Sequence, residues 1–247
     1  MGGAPVIISP MPLRLVRKAV LFALGLLPCG LAIFSQGSEK TDTKSTAPVP
    51  VVWRMESAVK VGDHSPEVLG SPQVIEDGGL KALVFDGRND GLILPVNPIA
   101  GWSRFTIEVL IKPALAGAEE QRFIHIQDTQ GRRVMVELRM TRDHQWVLDT
   151  YLRASTDHNR TLIDRAKTHP ADQWHWVALV YDGEVMTNYI NGVKELDGGV
   201  LLPPMVDGGI SIGVRQNKVS WYKGAICEIR FYPGALKPAA LQRIGIK

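Results

Sequence analysis

Beyond its first fifty residues, the chain alternates apolar and polar side chains with a period of two, and this pattern constrains its fold most strongly. In the segment 105–112, Ile107, Val109 and Ile111 fall on one face, opposite Glu108. A β-strand has this period, because successive side chains point to opposite faces. The same alternation recurs in six further segments: 132–140, 145–153, 174–181, 186–193, 209–214 and 225–232. The pattern predicts an all-β chain.

Turn signals separate these segments. Asp86-Gly87, Asp182-Gly183 and Asn191-Gly192 are dipeptides that accept the positive φ angles of tight hairpins. Many short antiparallel strands joined by hairpins bury their apolar faces by packing as two sheets. We therefore expect a single antiparallel two-sheet jelly-roll sandwich over residues 51–247, with one short helix at 235–244.

The N-terminus, residues 1–35, reads as a signal peptide or a membrane anchor. Residues 19–34 carry no charge and follow the basic Arg14, Arg17 and Lys18. A helix of this length spans about 24 Å, short of the ~30 Å hydrocarbon core. A signal peptide cleaved after Ser35 or Gly37 and an uncleaved anchor both stay open. Either places the folded part outside the cytoplasmic membrane, secreted or anchored.

Residues 36–50 are polar and rich in Thr, Ser and Lys, so we expect a flexible linker there.

Three of the 28 basic residues precede the first acidic one, so 25 basic residues oppose all 25 acidic residues in the rest of the chain. No run of basic residues offers an attraction to phosphates. Nucleic acid is therefore not an expected partner. Cys227 is the only cysteine after the leader, so no intramolecular disulfide is expected.

Three blocks of sequence resemble the laminin G-like (concanavalin A-like lectin/glucanase) jelly-roll family. Leu83–Gly87 with the strand at 105–112 is similar to the family's opening, and 174–183 with 189–192 is similar to its central hairpin. The segment 224–232 is similar to its closing strand. The resemblance implies an exported module that binds glycans or proteins. The closing strand usually carries Asp where this chain has Cys227, which argues against a structural calcium ion, and we expect no other cofactor.

Candidate catalytic and metal motifs are weak. Gly209–Gly213 matches the G-x-S-x-G elbow, but Ser211 lies in a strand pattern with no helix after it, so we expect a structural serine. The six histidines show no zinc-ligand spacing. The loop 86–91 holds acidic residues without the spacing of an EF-hand, so hairpin chemistry accounts for it. We expect no catalytic residue and no metal ligand.

Glycoside hydrolases of this sandwich class place two carboxylates on one sheet, one as acid and one as nucleophile. We expect Glu108, Glu137 and Asp149 to share a face with arginines, which favours ion pairing over a raised carboxyl pKa. A polysaccharide hydrolase or lyase remains the competing function, and a spacer domain without a small ligand is a third.

The expected function is non-catalytic recognition of a glycan or an extracytoplasmic protein. Aromatic side chains stack on sugar rings, and arginines bond carboxylates or hydroxyls. On the concave face and its rim, the candidate ligand-binding residues are Arg139, Tyr151, Arg153, Trp221 and Tyr222. The membrane is a partner only if the leader stays attached.

Overall fold

The computed structural model describes residues 48–244, so the predicted leader and most of the linker lie outside the described residues. Within this range there are sixteen β-strands: β1 (Val51–Arg54), β2 (Glu67–Leu69), β3 (Gln73–Asp77), β4 (Leu80–Asp86), β5 (Gly91–Leu94), β6 (Phe105–Pro113), β7 (Glu120–Asp128), β8 (Arg133–Met140), β9 (Gln145–Arg153), β10 (Asn159–Ile163), β11 (His169–Pro170), β12 (His175–Tyr181), β13 (Val185–Ile190), β14 (Val193–Gly199), β15 (Gly208–Ile212) and β16 (Lys223–Tyr232). Over the same residues, we find no helix with the length and hydrophobicity that a membrane crossing requires.

The strands form two antiparallel sheets that pack as a sandwich, as the alternation predicts. Sheet 1 has the order β14-β13-β12-β6-β16-β4-β3, with β1 also paired to β16. Sheet 2 has the order β10-β9-β8-β7-β15-β5-β2, with β11 also paired to β9. Neighbours in space are often distant in sequence, because the chain crosses repeatedly between the sheets.

The core lies between the two sheets and is formed by every second residue of the central strands. Ile107, Val109 and Ile111 of β6 are fully buried in it, as predicted. Val136 and Leu138 of β8 meet them from sheet 2. Burying a side chain of this size contributes about 1.5–3 kcal/mol. Each strand therefore has one face held by the core and one left for other contacts.

The segment 235–244 is not the helix that we expected. Only Pro238–Ala240 forms a 3₁₀ turn, and the rest is irregular. Two of its backbone N–H groups bond to side chains of sheet 1: Leu236 donates to Thr106 Oγ1 (2.9 Å) and Gln242 donates to Glu108 Oε1 (2.7 Å). Leu241 is buried against sheet 1. Packing across the sheet outweighs the weak helical pattern.

Gly213 ends β15 in a left-handed conformation, with φ of 77°. A Cβ atom added there would lie 2.3 Å from Cδ1 of the buried Phe85. Gly213 is thus required both by its backbone angle and by the ring beside it. The second glycine of the G-x-S-x-G pattern therefore has a structural role.

We predict that Gly213→Ala lowers the free energy of unfolding by about 2–4 kcal/mol, since it adds overpacking to backbone strain. Gly78→Ala is the matched control, because Gly78 has φ of 60° but nothing within 4 Å of an added Cβ. Urea unfolding of both variants separates the two effects. Equal losses in the two variants would contradict the packing role of Phe85.

Candidate functional site

The candidate site lies on the side of sheet 2 that faces away from the core, which we call the outer face of sheet 2. Val134, Val136 and Leu138 of β8 point into the core, so the residues between them point outward. Strand pairing places the outward side chains of β7, β8 and β9 in four cross-strand rows: Glu120–Arg139–Val147, Arg122–Glu137–Asp149, His125–Met135–Tyr151 and Gln127–Arg133–Arg153.

The first two rows contain a network of ion pairs. Arg122 contacts Glu137 (Nε to Oε2, 2.9 Å) and Glu120 (Nη1 to Oε2, 2.9 Å). Arg139 contacts Asp149 (Nη2 to Oδ2, 2.5 Å) and the other oxygen of Glu120 (Nη1 to Oε1, 3.2 Å). Two guanidinium groups thus hold three carboxyl groups together, as the mixed charges predicted.

Burial changes the acidity of this network. Glu137 and Asp149 are each only 2% exposed. Loss of hydration raises the pKa of Glu137 to about 7, although Arg122 and Arg139 oppose the shift. Burial also raises the pKa of Asp149. Our expectation that ion pairing would prevent a raised carboxyl pKa was wrong for these two groups, because desolvation outweighs the nearby arginines.

The opposite end of the outer face is cationic. Arg133 and Arg153 face each other across β8 and β9. The loop after β15 brings Arg215 and Gln216 to the same end, where they line a cleft of about 310 Å³ with Arg133, Gln127 and His125. Gln127 and Arg133, which belong to the fourth of the cross-strand rows, are part of the lining of this cleft.

His125 forms the buried wall of this cleft and is only 2% exposed. Its Nδ1 atom accepts a hydrogen bond from the backbone N–H of Gln216 (3.1 Å). Burial, together with the charges of Arg215, Arg133 and Arg122, lowers the pKa of His125 to about 3. His125 is therefore neutral at physiological pH and carries its proton on Nε2.

A second cleft of about 780 Å³ continues from the first along the same sheet. Gln127 and Gln216 line both clefts. Its walls add the apolar Ile93 and Pro95 and the acidic Glu67. Together the two clefts form a groove with hydrogen-bonding side chains and an apolar patch, which suits a sugar chain.

Three of the predicted ligand-binding residues lie on this one face: Arg139, Tyr151 and Arg153. Tyr151 and Arg153 are partly exposed and occupy successive outward positions on β9. Arg139 is instead engaged by Glu120 and Asp149 in the ion-pair network. All three thus share one face, and only Tyr151 and Arg153 have side chains outside the ion-pair network; their role in binding stays a prediction.

The two aromatic residues predicted beside them lie elsewhere. Tyr222 is fully buried in the core and donates a hydrogen bond to the backbone carbonyl of Ala225 (3.2 Å). This placement corrects the expectation that Tyr222 stacks on a ligand, since it has no exposed surface. Trp221 is half-buried and lies against Gly91 of β5, away from Tyr151.

Glu108 does not share a face with Glu137 and Asp149. It lies on β6 of sheet 1, fully buried under the segment 235–242, where it accepts the N–H of Gln242. Burial raises the pKa of Glu108. Our expectation of a shared face was wrong, because alternation within a strand does not say which sheet the strand joins.

The remaining motifs have structural roles. Ser211 lies in β15, is fully buried and donates to the carbonyl of Val214 (2.6 Å), as expected of a strand residue. In the loop 86–91, Asp86 Oδ1 accepts the N–H groups of Arg88, Asn89 and Asp90. Among residues 48–244, no group of three or more His, Cys, Asp or Glu side chains is placed to hold a metal ion. The expectation about calcium stays a prediction.

The sequence matches the family model described as the concanavalin A-like lectin/glucanases superfamily over residues 86–242. This chain belongs to that superfamily. The matched segment contains every residue of the ion-pair network and of the cationic cleft. A comparison with curated proteins gave no significant match.

Solved structures with this fold include several binding domains. Domain 4 of AbnA, a GH43 extracellular arabinanase from Geobacillus stearothermophilus, in complex with arabinotriose, is 19% identical (TM-score 0.60; 78% of this chain, 97% of that chain). The binding domain of Paraclostridial Mosquitocidal Protein 1 is 17% identical (TM-score 0.59; 77% and 50%). The botulinum neurotoxin serotype D ligand binding domain, in complex with N-acetylneuraminic acid, is 15% identical (TM-score 0.55; 76% and 48%). At these identities the likeness shows the fold.

Sequence reasoning missed Gln127, Arg215 and Gln216 of this concanavalin A-like domain. Gln127 shares the period-two pattern but lies in a strand that we had not identified. Arg215 and Gln216 directly follow the segment 209–214, which ends at Gly213 and Val214. The positive φ of Gly213 turns this loop toward sheet 2, and a glycine after a strand pattern is the only signal that could have indicated it.

We predict that protonation of Glu137 stabilises this concanavalin A-like domain. Its pKa is about 7 in the folded state, above its ordinary value of 4.5, so its stabilising effect is present below about pH 4.5 and is lost as pH rises through 7. Between about pH 5 and 8 the free energy of unfolding should fall by roughly 2–3 kcal/mol from this group. His125 has the opposite effect on stability, because its pKa is lowered in the folded state. Its contribution to the free energy of unfolding is present above about pH 6.5 and is lost as pH falls below that value.

The measurement compares denaturant unfolding of the wild-type chain and of Glu137→Gln across this pH range. The difference between the two curves isolates Glu137, because all other groups are shared. The wild type should lose stability with rising pH relative to the variant. Parallel pH profiles would contradict the raised pKa.

Proposed function

We propose that this chain is a non-catalytic, extracytoplasmic recognition module that binds a glycan in the groove on the outer face of sheet 2. The observation that carries this proposal is the groove itself, where two continuous clefts are joined by Gln127 and Gln216. Amide and guanidinium groups bond hydroxyls with defined geometry. Tyr151, partly exposed beside Arg153, supplies a ring face for stacking.

The comparisons support this proposal at the level of the fold. Domain 4 of the arabinanase AbnA was solved with arabinotriose, and the neurotoxin domain was solved with N-acetylneuraminic acid. The first is a domain of an extracellular arabinanase, and the second is the ligand binding domain of a neurotoxin. An extracytoplasmic protein is the other partner that this fold accommodates.

The location outside the cytoplasm rests on the sequence of residues 1–35. Basic residues before an uncharged apolar run favour insertion with the remainder of the chain translocated. Glycans that such a domain meets are then extracellular or belong to the cell envelope. The leader acts either as a removed signal or as the membrane tether.

A polysaccharide hydrolase or lyase is the competing function, and one observation favours it. Glu137 and Asp149 are directly opposed on β8 and β9, and both have a raised pKa. A general acid requires a raised pKa, but it must also reach the substrate. Each carboxyl group is only 2% exposed and is bound to an arginine, so we favour binding over hydrolysis.

We predict that Tyr151→Ala weakens glycan binding by the purified chain about tenfold, which corresponds to about 1–2 kcal/mol of lost stacking and burial. Tyr151→Phe is the matched control, because it keeps the ring and removes only the hydroxyl group. A glycan array followed by calorimetric titration measures both. Equal affinity for the wild type and Tyr151→Ala would place the binding site elsewhere.

The same array decides between the three functions. Binding without turnover supports the recognition module. Turnover that is abolished by Glu137→Gln would establish the enzyme instead. No glycan binding, together with copurification of a membrane protein, would indicate the spacer.

We predict that the mature N-terminus begins just after Ser35 or Gly37 if the leader is a signal peptide, and at or near the translation start if it is an anchor. Mass spectrometry of the chain from its native membrane and secreted fractions measures this directly. A full-length chain found only in the cytoplasm would contradict an extracytoplasmic function.

A further inference from the structure

The cationic end of the outer face combines like charges that a folded protein normally separates. Arg133 and Arg153 are a directly opposed cross-strand pair on β8 and β9. Like charges in this position destabilise a sheet. Burial and the charges of Arg153 and Arg215 lower the pKa of Arg133, which shows that both arginines repel the charge of Arg133. An arginine nevertheless stays protonated at physiological pH.

Within the described part of the chain, no carboxylate is placed to balance these charges. Among residues 48–244, no carboxylate oxygen lies within 4.0 Å of a guanidinium nitrogen of Arg133, Arg153 or Arg215. Arg122 and Arg139, on the same face, contact three carboxyl groups. The contrast shows that the sheet compensates charge at one end and leaves it uncompensated at the other.

Buried hydrogen-bond donors at this end also lack acceptors. The Nε atoms of Arg133 and Arg153 and the Nε2 atom of His125 are buried without a hydrogen-bond partner among the described residues. Arg153 does donate from Nη2 to Thr156 Oγ1 (3.2 Å). His125 holds its proton on Nε2, because Nδ1 accepts from Gln216. Buried donors without acceptors are costly. The ion-pair network also contains such atoms, Arg122 Nε and Arg139 Nη1, so the feature that points to an anionic ligand is the combination of these donors with arginines that have no carboxylate partner among the described residues.

We infer that the cleft lined by His125, Arg133 and Arg215, with Arg153 paired to Arg133 across the strands, binds an oxyanion carried by an acidic glycan, the carboxylate of a uronic acid or an ester sulfate. This inference rests on the proposed function and names the class of sugar. A planar guanidinium donates two parallel hydrogen bonds to a carboxylate or a sulfate. The neutral His125 adds a donor without adding charge.

The size and surroundings of the cleft favour a glycan over other anions. Its volume of about 310 Å³ accommodates one acidic sugar, and the adjoining cleft of about 780 Å³ has room for its neighbours. A nucleic acid would need basic side chains along the whole groove, because every nucleotide carries a phosphate. The second cleft instead contains Glu67, Asp128 and Asp207, which would repel successive phosphates.

The test titrates the purified chain with a uronate trisaccharide, a sulfated disaccharide, a neutral oligosaccharide of the same linkage as the uronate, inorganic sulfate and a short single-stranded DNA. The variants are Arg133→Gln and Arg153→Gln. The matched control is Arg142→Gln, which removes the same charge from the exposed turn at the other end of the β8–β9 hairpin. We expect an acidic sugar to bind at least about tenfold more tightly than the neutral one, and each of the two variants to remove about tenfold of that preference.

Three further readouts make the result decisive. Binding of the acidic sugar should weaken with ionic strength, whereas binding of the neutral sugar should not. Arg133→Gln should have an unfolding midpoint equal to or above that of the wild type, since it removes repulsion from Arg153. Arg142→Gln should bind like the wild type. A lower midpoint with lost binding would indicate a structural arginine and overturn the inference.

The outcomes separate this inference from the proposed function. Equal affinity for neutral and acidic sugars, unaffected by Arg133→Gln, would overturn the inference and leave the recognition module standing. No binding of any sugar would overturn both. Inorganic sulfate that binds as tightly as the sulfated sugar would assign a free-anion site, and DNA that binds more tightly than the sugars would assign a nucleic-acid site. Either result also overturns the inference.

Discussion

The outer face of sheet 2 is built from charged side chains that are largely shielded from water, and the rest of the site follows from how their charges are compensated. A buried charge is tolerated only when it is paired and hydrogen-bonded. Arg122 and Arg139 are paired with Glu120, Glu137 and Asp149. The network thereby occupies one half of the face, and the opposite half, with Tyr151 and the remaining arginines, is where we propose that a ligand binds.

The same two sheets explain why the fold was predictable from the sequence while half of the site was not. Period-two alternation determines which side of a strand each residue occupies, so Arg139, Tyr151 and Arg153 were placed together correctly. It says nothing about which strands become neighbours. Glu108 was therefore assigned to the wrong sheet, and Tyr222, next to the first residue of β16, was expected at the surface although it is buried between the sheets. The tail at 235–244 was expected to be helical and is not, because it is held by contacts with Thr106 and Glu108 that the local sequence does not indicate.

Members of the concanavalin A-like superfamily share a sandwich, and a shared fold does not specify a shared activity. In this chain, the choice between binding and hydrolysis depends on whether a ligand can reach the carboxyl groups. Arginine, glutamine and histidine side chains line the cationic cleft, whereas the carboxyl groups with a raised pKa are buried and paired with arginines. This arrangement supports the proposal of a recognition module over that of a hydrolase. The leader that we predict at residues 1–35 would place such a module outside the cytoplasm, as we propose.

The central claim is that ligands bind along the outer face of sheet 2, and solution NMR of the isotope-labelled chain tests it most directly. Amide and side-chain chemical shifts are followed during titration with the glycan that binds most tightly in an array. The account predicts the largest shifts at Gln127, Arg133, Arg153 and Gln216, with little change in β13 and β14 at the far edge of sheet 1. Shifts centred on sheet 1, or on the segment 235–244 that covers it, would contradict the account.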